Sequence, residues 1–444
     1  MVQTLNSDFQ SSDVLPAAPS RDSASSVKVP LVLVLIALTM FLPEETSFNF
    51  GELRMTICRL LLLLITPAIL FRFVRSTVSG NYRFVWSDLL VPVTGLWMVL
   101  ALNETDGFER SIVSSGTSAL EFCIPYMATR VFLTERGQAV ALVRILCIAI
   151  ATVGVLAIPD EFSHRFVLRE TVASFTGYHK PAIDYSILMR DSLFRATSTL
   201  EHPILLGTAC MAGLLMATTM RGARRQFPLA GSALGLALSV SSAPTSGALL
   251  GFGALLYNKL LRNFPFRWSF LFTSAAGVIL FIFSAHPNPW GFIFAHVTFD
   301  PASGYYRLME WEAVGPFVLN SPIFGIGLSD EGILSEAGLL PTIDANWLRV
   351  AMMFGIPGSI VVMLCYITAC SVPMDIENKS LNLTEQERQL GSVLSLILGL
   401  IIYIGFTVYY WGTVYILMSF LAGIRAHLGA LAAMPREPGL DDDG

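Results

Sequence analysis

Long apolar runs recur along almost the whole chain, separated by short polar connections, and they constrain its fold more than any other feature. A helix needs about 20 mostly apolar residues to cross a bilayer, because the lipid interior leaves backbone polar groups no water to bond. Such runs fall at 29–45, 55–73, 86–102, 112–132, 138–158, 203–220, 227–243, 246–261, 268–286, 350–372, 390–410 and 412–428. The expected fold class is all-α: a polytopic integral membrane protein of about twelve transmembrane helices, with tight turns near 243–246 and 410–412. Composition removes the main alternative. Of the 444 residues, 54% are hydrophobic and 14% charged, against about 25% charged in an ordinary soluble domain. A soluble enzyme, a nucleic-acid binder and a disordered scaffold all fit poorly. The net charge is −5 and no basic domain is present, so nucleic acid is not an expected partner.

Lys and Arg in the short loops set the orientation. One set of connections holds Arg72, Arg75 and Arg83; Arg130 and Arg136; Arg221, Arg224 and Arg225; Lys259, Arg262 and Arg267; and Lys379 and Arg388. The opposite set, starting at 45, 103, 241 and 409, is poor in basic residues and partly acidic. This alternation puts both termini in the cytoplasm. Residues 1–28 are polar and lack the basic-then-apolar pattern of a signal peptide. They read as a disordered cytoplasmic tail, 29–428 as the transmembrane domain, and 429–444 as a second disordered cytoplasmic tail. The six cysteines lie in or at the end of apolar runs without metal-ligand spacing, and read as small buried hydrophobes. No metal or cofactor is expected.

Two long connections fall outside, 159–202 and 287–349. Structureless loops of that length are uncommon unless functional, so short helices are expected in both. The first holds Arg165, Arg169, Lys180, Arg190 and Arg195 and ends in R-A-T-S-T-L-E-H-P-I-L-L-G (195–207). Guanidinium groups suit phosphate, which they bind bidentately at any physiological pH. The arginines therefore read as holding an anionic headgroup or lipid diphosphate, or as simple headgroup anchors. The second connection holds G-Y-Y-R-L-M-E-W-E-A (304–313), N-S-P-I-F-G-I-G-L (320–328) and P-T-I-D-A-N-W-L-R (341–349). Arg307, Glu310 and Trp311 fall at helical spacing and so share a face. Glu121, Arg144 and Arg59 are the clearest charges within spans, and they read as structural or snorkelling groups, with a functional role as the alternative.

These pieces, in this order, resemble the O-antigen polymerase and O-antigen ligase superfamily, including exopolysaccharide polymerases. The resemblance covers about 195–358. It rests on the 195–207 segment, on S-A-P-T-S-G-A-L-L (242–250), on Y-R-x-x-x-W and S-P-I-F-G-I-G-L, and on I-D-x-x-W-L followed by F-G-I-P-G. It implies a metal-independent glycosyltransferase of the bacterial inner membrane. Such an enzyme takes a glycan on undecaprenyl diphosphate at the periplasmic face and transfers it to a second sugar hydroxyl. A chain-length regulator and export proteins are the partners it implies, besides the lipid bilayer. Ligases of the family carry a His-Asn pair where this chain reads Asp344-Ala345-Asn346, and the only histidine of 287–349 is His296. That departure favours a polysaccharide polymerase over a lipid A-core ligase. A second departure is the S-A-P-T-S-G turn, where many members have an arginine.

Transfer from a diphosphate needs cations at the leaving group and a base at the acceptor hydroxyl. The resemblance assigns Arg195 and Arg307 to the diphosphate, with Arg190 and Arg169 beside them. Asp344 is the first choice for base, followed by Glu201, His202 and Glu310. Three plainer readings stand beside these: Asp344 and Glu201 as helix caps, and His202 as a turn residue before Pro203. Tyr305, Tyr306, Trp311 and Trp347 read as sugar-stacking residues or as interfacial anchors. Two other functions fit a polytopic chain with a cationic face: a flippase for a lipid-linked oligosaccharide, and a non-catalytic subunit of a polysaccharide assembly machine.

Overall fold

The computed structural model describes residues 27–50, 53–178, 188–190, 192–297, 301–328, 332, 342–374, 378 and 380–435. The tails at 1–26 and 436–444 lie outside the described residues, as does Lys180. Described helices are α1 (Leu31–Thr39), α2 (Ile57–Val78), α3 (Trp86–Asp106), α4 (Phe108–Phe132), α5 (Gln138–Val155), α6 (Ile158–Ser163), α7 (Val167–Thr176), α8 (Pro203–Ala217), α9 (Gln226–Leu238), α10 (Ser242–Leu260), α11 (Arg267–Ala285), α12 (Pro289–Val297), α13 (Pro301–Asn320), α14 (Asn346–Ala369), α15 (Glu385–Ile404) and α16 (Gly412–Ala432). Two small antiparallel hairpins accompany them, Phe48–Phe50 with Leu53–Met55 and Met189–Arg190 with Leu193–Phe194.

The protein is a helical membrane protein. Seven described helices are long and apolar enough to cross a bilayer: α2, α3, α5 with its continuation to Ser163, α11, α14, α15 and α16. Each of the twelve apolar runs contains a helix, but α1, α8 and α9 have only 9, 15 and 13 residues. The helices α4 and α10 have the length but not the apolar content. Three boundaries differ from expectation. The S-A-P-T-S-G segment is the first turn of α10 rather than a loop. The connection before α16 spans 405–411 rather than a tight turn. The last helix continues to Ala432, so 429–432 are not tail. The long connections contain α6, α7, α12 and α13, although α13 runs to 20 residues.

The centre of the bundle is α4, which packs between α3 and α16, while α5 packs on α8 and α9. Small residues allow the second approach: a Cβ on Gly154 would lie 2.1 Å from Gly231 O. By contrast, α11 is unburied along its apolar length, and its principal described neighbour is α12. The connections meet in two separate groups. At one end, Gln138 donates to Lys28 O (3.1 Å), Arg130 to Arg83 O (2.6 Å) and Arg136 to Asn382 Oδ1 (2.8 Å), and Arg221 pairs with Glu385 (2.9 Å). At the other, Arg169 pairs with Glu44 and Glu45, Thr413 N donates to Glu201, Arg307 donates to Thr407 O, and Leu328 N donates to Asp106. The charges within spans are held by partners: Arg59 pairs with Glu121 at 2.6 Å, and Arg144 donates to Gln386 at 3.1 Å.

One long-range contact fixes the approach to the candidate site. Helix α14 breaks at Gly355, where φ is 74° and ψ 171°. The Ser321–Gly327 turn fits into the break. Ile326 N donates to Met352 O and Ile356 N to Pro322 O, both at 2.8 Å. A Cβ on Gly355 would lie 1.8 Å from Ile323 O, and one on Gly325 2.2 Å from Met352 O. The S-P-I-F-G-I-G and F-G-I-P-G segments are thus two halves of one backbone clasp, and it ties the end of α13 to α14.

Candidate functional site

The clasp holds α13 beside the segment that enters α14, and three charged side chains meet there. Arg307 and Glu310 lie one helical turn apart on α13, and Arg307 Nη1 donates to Glu310 Oε1 at 3.1 Å. Arg307 Nη2 forms an ion pair with Asp344, and its Nε donates to Thr407 O at 3.2 Å. The Tyr306 ring lies 5.3 Å from the guanidinium, a cation–π distance. Glu310 is fully buried and also accepts from the backbone of Asp344, at 3.3 and 3.4 Å. The Asp344 side chain stays 29% exposed, which makes it the solvent-facing edge of the cluster.

Burial raises the Glu310 carboxyl to about 7, with Arg307 opposing and the like charge of Asp344 reinforcing the rise. Burial also raises Asp344, against the attraction of Arg307 and Arg195. Arg195, on the other long connection, thus adds an electrostatic attraction at Asp344. Its chain is held by Asp160, whose carboxylate accepts from Val167 N (3.0 Å), Thr197 N (3.2 Å) and Ser198 N (2.8 Å). Asp160 was not singled out from sequence; an acidic residue two after the end of an apolar run carries no distinguishing signal. Thr407 was missed too, because only its backbone oxygen is used.

The structure separates the remaining candidates. Asp344 is not a helix cap, since Ala345 holds that position and makes no side-chain cap. Glu201 caps a helix distant in sequence rather than its own: its Oε1 accepts from Thr413 N at 3.1 Å, in the first turn of α16. His202 takes the cap of α8, its Nδ1 accepting from Ile204 N at 3.2 Å, with its ring 5.7 Å from that of Trp411. That bond occupies one of its two ring nitrogens. Arg169 departs from its expected place at a diphosphate. It is 2% exposed, pairs with Glu44 (2.6 Å) and Glu45 (2.7 Å), and donates to Leu200 O and Glu201 O. Its donors are used by the protein, leaving none for a diphosphate. Arg190 donates to Val240 O at 3.3 Å, beside the α9–α10 connection. Trp347 is buried, with its indole N–H donated to Ile402 O at 2.8 Å, so it offers no face to a sugar. Tyr306 is engaged with Arg307. Trp311 stacks on Phe406, with ring centroids 6.3 Å apart, beside the cluster. The His296 side chain lies outside the described residues.

A cavity of about 340 Å³ opens at the same end, across the 405–411 connection. Its wall includes the Arg59–Glu121 and Arg54–Glu44 pairs, Glu201, Tyr409 and Trp411. Burial lifts the Glu201 carboxyl to about 7, with the Thr413 amide opposing and Glu44 reinforcing the shift. Among the described residues, no group of three or more His, Cys, Asp or Glu is arranged to hold a metal ion. No protein-family model matches the chain, and no curated protein matches it.

Proposed function

We propose that this protein is a membrane glycosyltransferase that polymerises or transfers an undecaprenyl-diphosphate-linked oligosaccharide at the periplasmic face of the bacterial inner membrane. The observation that carries the reading is the cluster of Arg307, Glu310 and Asp344, faced by Arg195, where both long connections converge. The separation of connections into two groups, with the basic short loops in one of them, supports about twelve crossings and cytoplasmic termini.

In this mechanism the diphosphate takes the place of Asp344 on Arg307, and Arg195 supplies the second cation. Raised carboxyl pKa values favour this exchange, because partial protonation lowers the negative charge that an incoming anion meets. Asp344, released from Arg307 at the exposed edge, accepts the acceptor hydroxyl proton. The acceptor oxygen bonds to the anomeric carbon, the bond from that carbon to the phosphate oxygen breaks, and the lipid diphosphate departs with that electron pair. The guanidiniums stabilise charge as it develops on the leaving oxygen.

The test is complementation. The gene is deleted in its native host, and wild type, Arg195→Ala, Arg307→Ala and Asp344→Ala are returned at matched protein levels. An enzyme predicts loss of high-molecular-weight polysaccharide in the deletion, no rescue by the arginine variants, and lipid-linked repeat units that accumulate at the outer leaflet. A flippase predicts repeat units trapped on the inner leaflet. Polymer that persists in the deletion strain refutes both.

A further inference from the structure

The cavity across the 405–411 connection is separate from the Arg307 cluster and has its own chemistry. Its floor includes Tyr409 and Trp411, stacked with centroids 5.2 Å apart and 24° between planes. Its walls carry cations that are already neutralised: Arg59 by Glu121 at 2.6 Å and Arg54 by Glu44 at 3.2 Å. Hydroxyl residues including Thr56, Ser114 and Ser118 add to the polar lining. Glu201 Oε1 is held by Thr413, whereas its Oε2 is buried with no hydrogen-bond partner among the described residues. A buried carboxylate oxygen left in that state costs stability unless a ligand or water satisfies it.

This combination selects a ligand class. An anion meets arginines whose charge is already matched, together with the excess carboxylate of Glu201. A simple cation meets two guanidiniums. A polyhydroxylated neutral ring fits both surfaces, with its C–H face on the indole and its hydroxyls donating to the Glu201 carboxyl in the wall. Small-molecule pockets span about 300–1,000 Å³, so this one suits a short saccharide end rather than a whole oligosaccharide.

We infer that the cavity walled by Glu201, Trp411 and the Arg59–Glu121 pair is a binding site for a neutral sugar residue. On the reading proposed above, that sugar is the terminal residue of the acceptor glycan, held apart from the diphosphate. The 405–411 connection lies between the two sites, giving its Thr407 carbonyl to Arg307 and its Trp411 ring to the cavity.

The test is direct binding to the full chain in lipid nanodiscs, read from tryptophan fluorescence. The probes are a panel of free neutral monosaccharides and disaccharides, with glucuronic acid, inorganic diphosphate and calcium as controls. At least one neutral saccharide is expected to bind saturably, with a Kd of about 1 mM. Glu201→Gln keeps a carbonyl acceptor for Thr413 and is expected to weaken binding about tenfold, as loss of a charge-assisted hydrogen bond does. Trp411→Phe should weaken it less than Trp411→Ala. The inference is overturned if no saccharide binds the wild type, or if Glu201→Gln and Trp411→Ala bind as well as wild type. The two readings fail separately. Saccharide binding by a protein whose deletion leaves polymer intact sinks the polymerase reading alone, and a confirmed polymerase that binds no free sugar here sinks only the cavity.

Discussion

The clasp between the Ser321–Gly327 turn and the break in α14 makes a sharp prediction for Gly355→Ala. With φ at 74° and ψ at 171°, Gly355 occupies a region essentially closed to residues with a side chain, at a cost of about 1–3 kcal/mol. The added methyl would also meet backbone, 1.8 Å from Ile323 O and 2.4 Å from Ile323 C, with no flexible side chain to yield. Relief requires the turn to withdraw, which breaks the Ile326–Met352 and Ile356–Pro322 hydrogen bonds. Each is worth about 1 kcal/mol, and more where the freed groups stay buried. The expected loss is about 4 kcal/mol or more, a large part of a typical stability of about 5–15 kcal/mol. Gly399→Ala is the matched control: it lies within α15, has nothing within 4 Å of an added Cβ, and should be neutral or slightly stabilising. The assay is thermal unfolding of both variants in the same detergent. Gly355→Ala should unfold at least about 5 °C lower. Polymer formation should fall beyond the loss of protein, because Arg307 and Asp344 stand on the two elements the clasp joins. Equal melting temperatures for the two variants would refute the reasoning.

The remaining predictions concern charge. Arg169→Ala should lower the melting temperature sharply, since removing one partner of a buried ion pair costs about 3–5 kcal/mol, and Glu45→Gln in the same chain should restore part of it. Recovery of polymer in that double variant would separate a structural Arg169 from a substrate-binding one. Arg307→Lys keeps the charge but cannot reach Asp344, Glu310 and Thr407 O together. Polymer formation should fall about 10²-fold at near-normal protein levels, and full activity would refute the assigned role. The Glu310 carboxyl stands at about 7 in the folded protein against an ordinary 4.5. The folded chain therefore binds that proton more tightly than the unfolded chain. Its contribution to stability is complete below pH 4.5 and is lost as pH rises through about 7. Melting temperatures across that window should fall with rising pH, and Glu310→Gln should flatten part of the fall, the rest belonging to the other raised carboxyls, among them Glu201 and Asp344.

Much of the architecture was legible in the chain itself. Apolar runs separated by polar connections are a local signal that needs no tertiary information, because the bilayer imposes the same demand on each apolar helix that crosses it. All twelve runs therefore contain helices, and the ends of α4, α5 and α11 lie within a few residues of expectation. What the residues in order could not show was which side chains are consumed by the fold. Arg169 and Arg307 carry the same charge in similar connections, yet Arg169 is spent on Glu44 and Glu45 while Arg307 pairs with the part-exposed Asp344. The carboxylates divide likewise. Glu201 caps a helix that begins 211 positions later, whereas Asp344 caps none.

Spacing along one helix is local and predicted that Arg307 and Glu310 would share a face. The addition of Asp344 to that pair is a contact with residues 37 and 34 positions earlier in the chain, which no local spacing reveals. Hydropathy determined which segments form apolar helices, because burial in lipid acts on each segment separately. Only the tertiary structure decided which charges remain available for chemistry, because an ion pair is settled by partners brought together from distant parts of the chain.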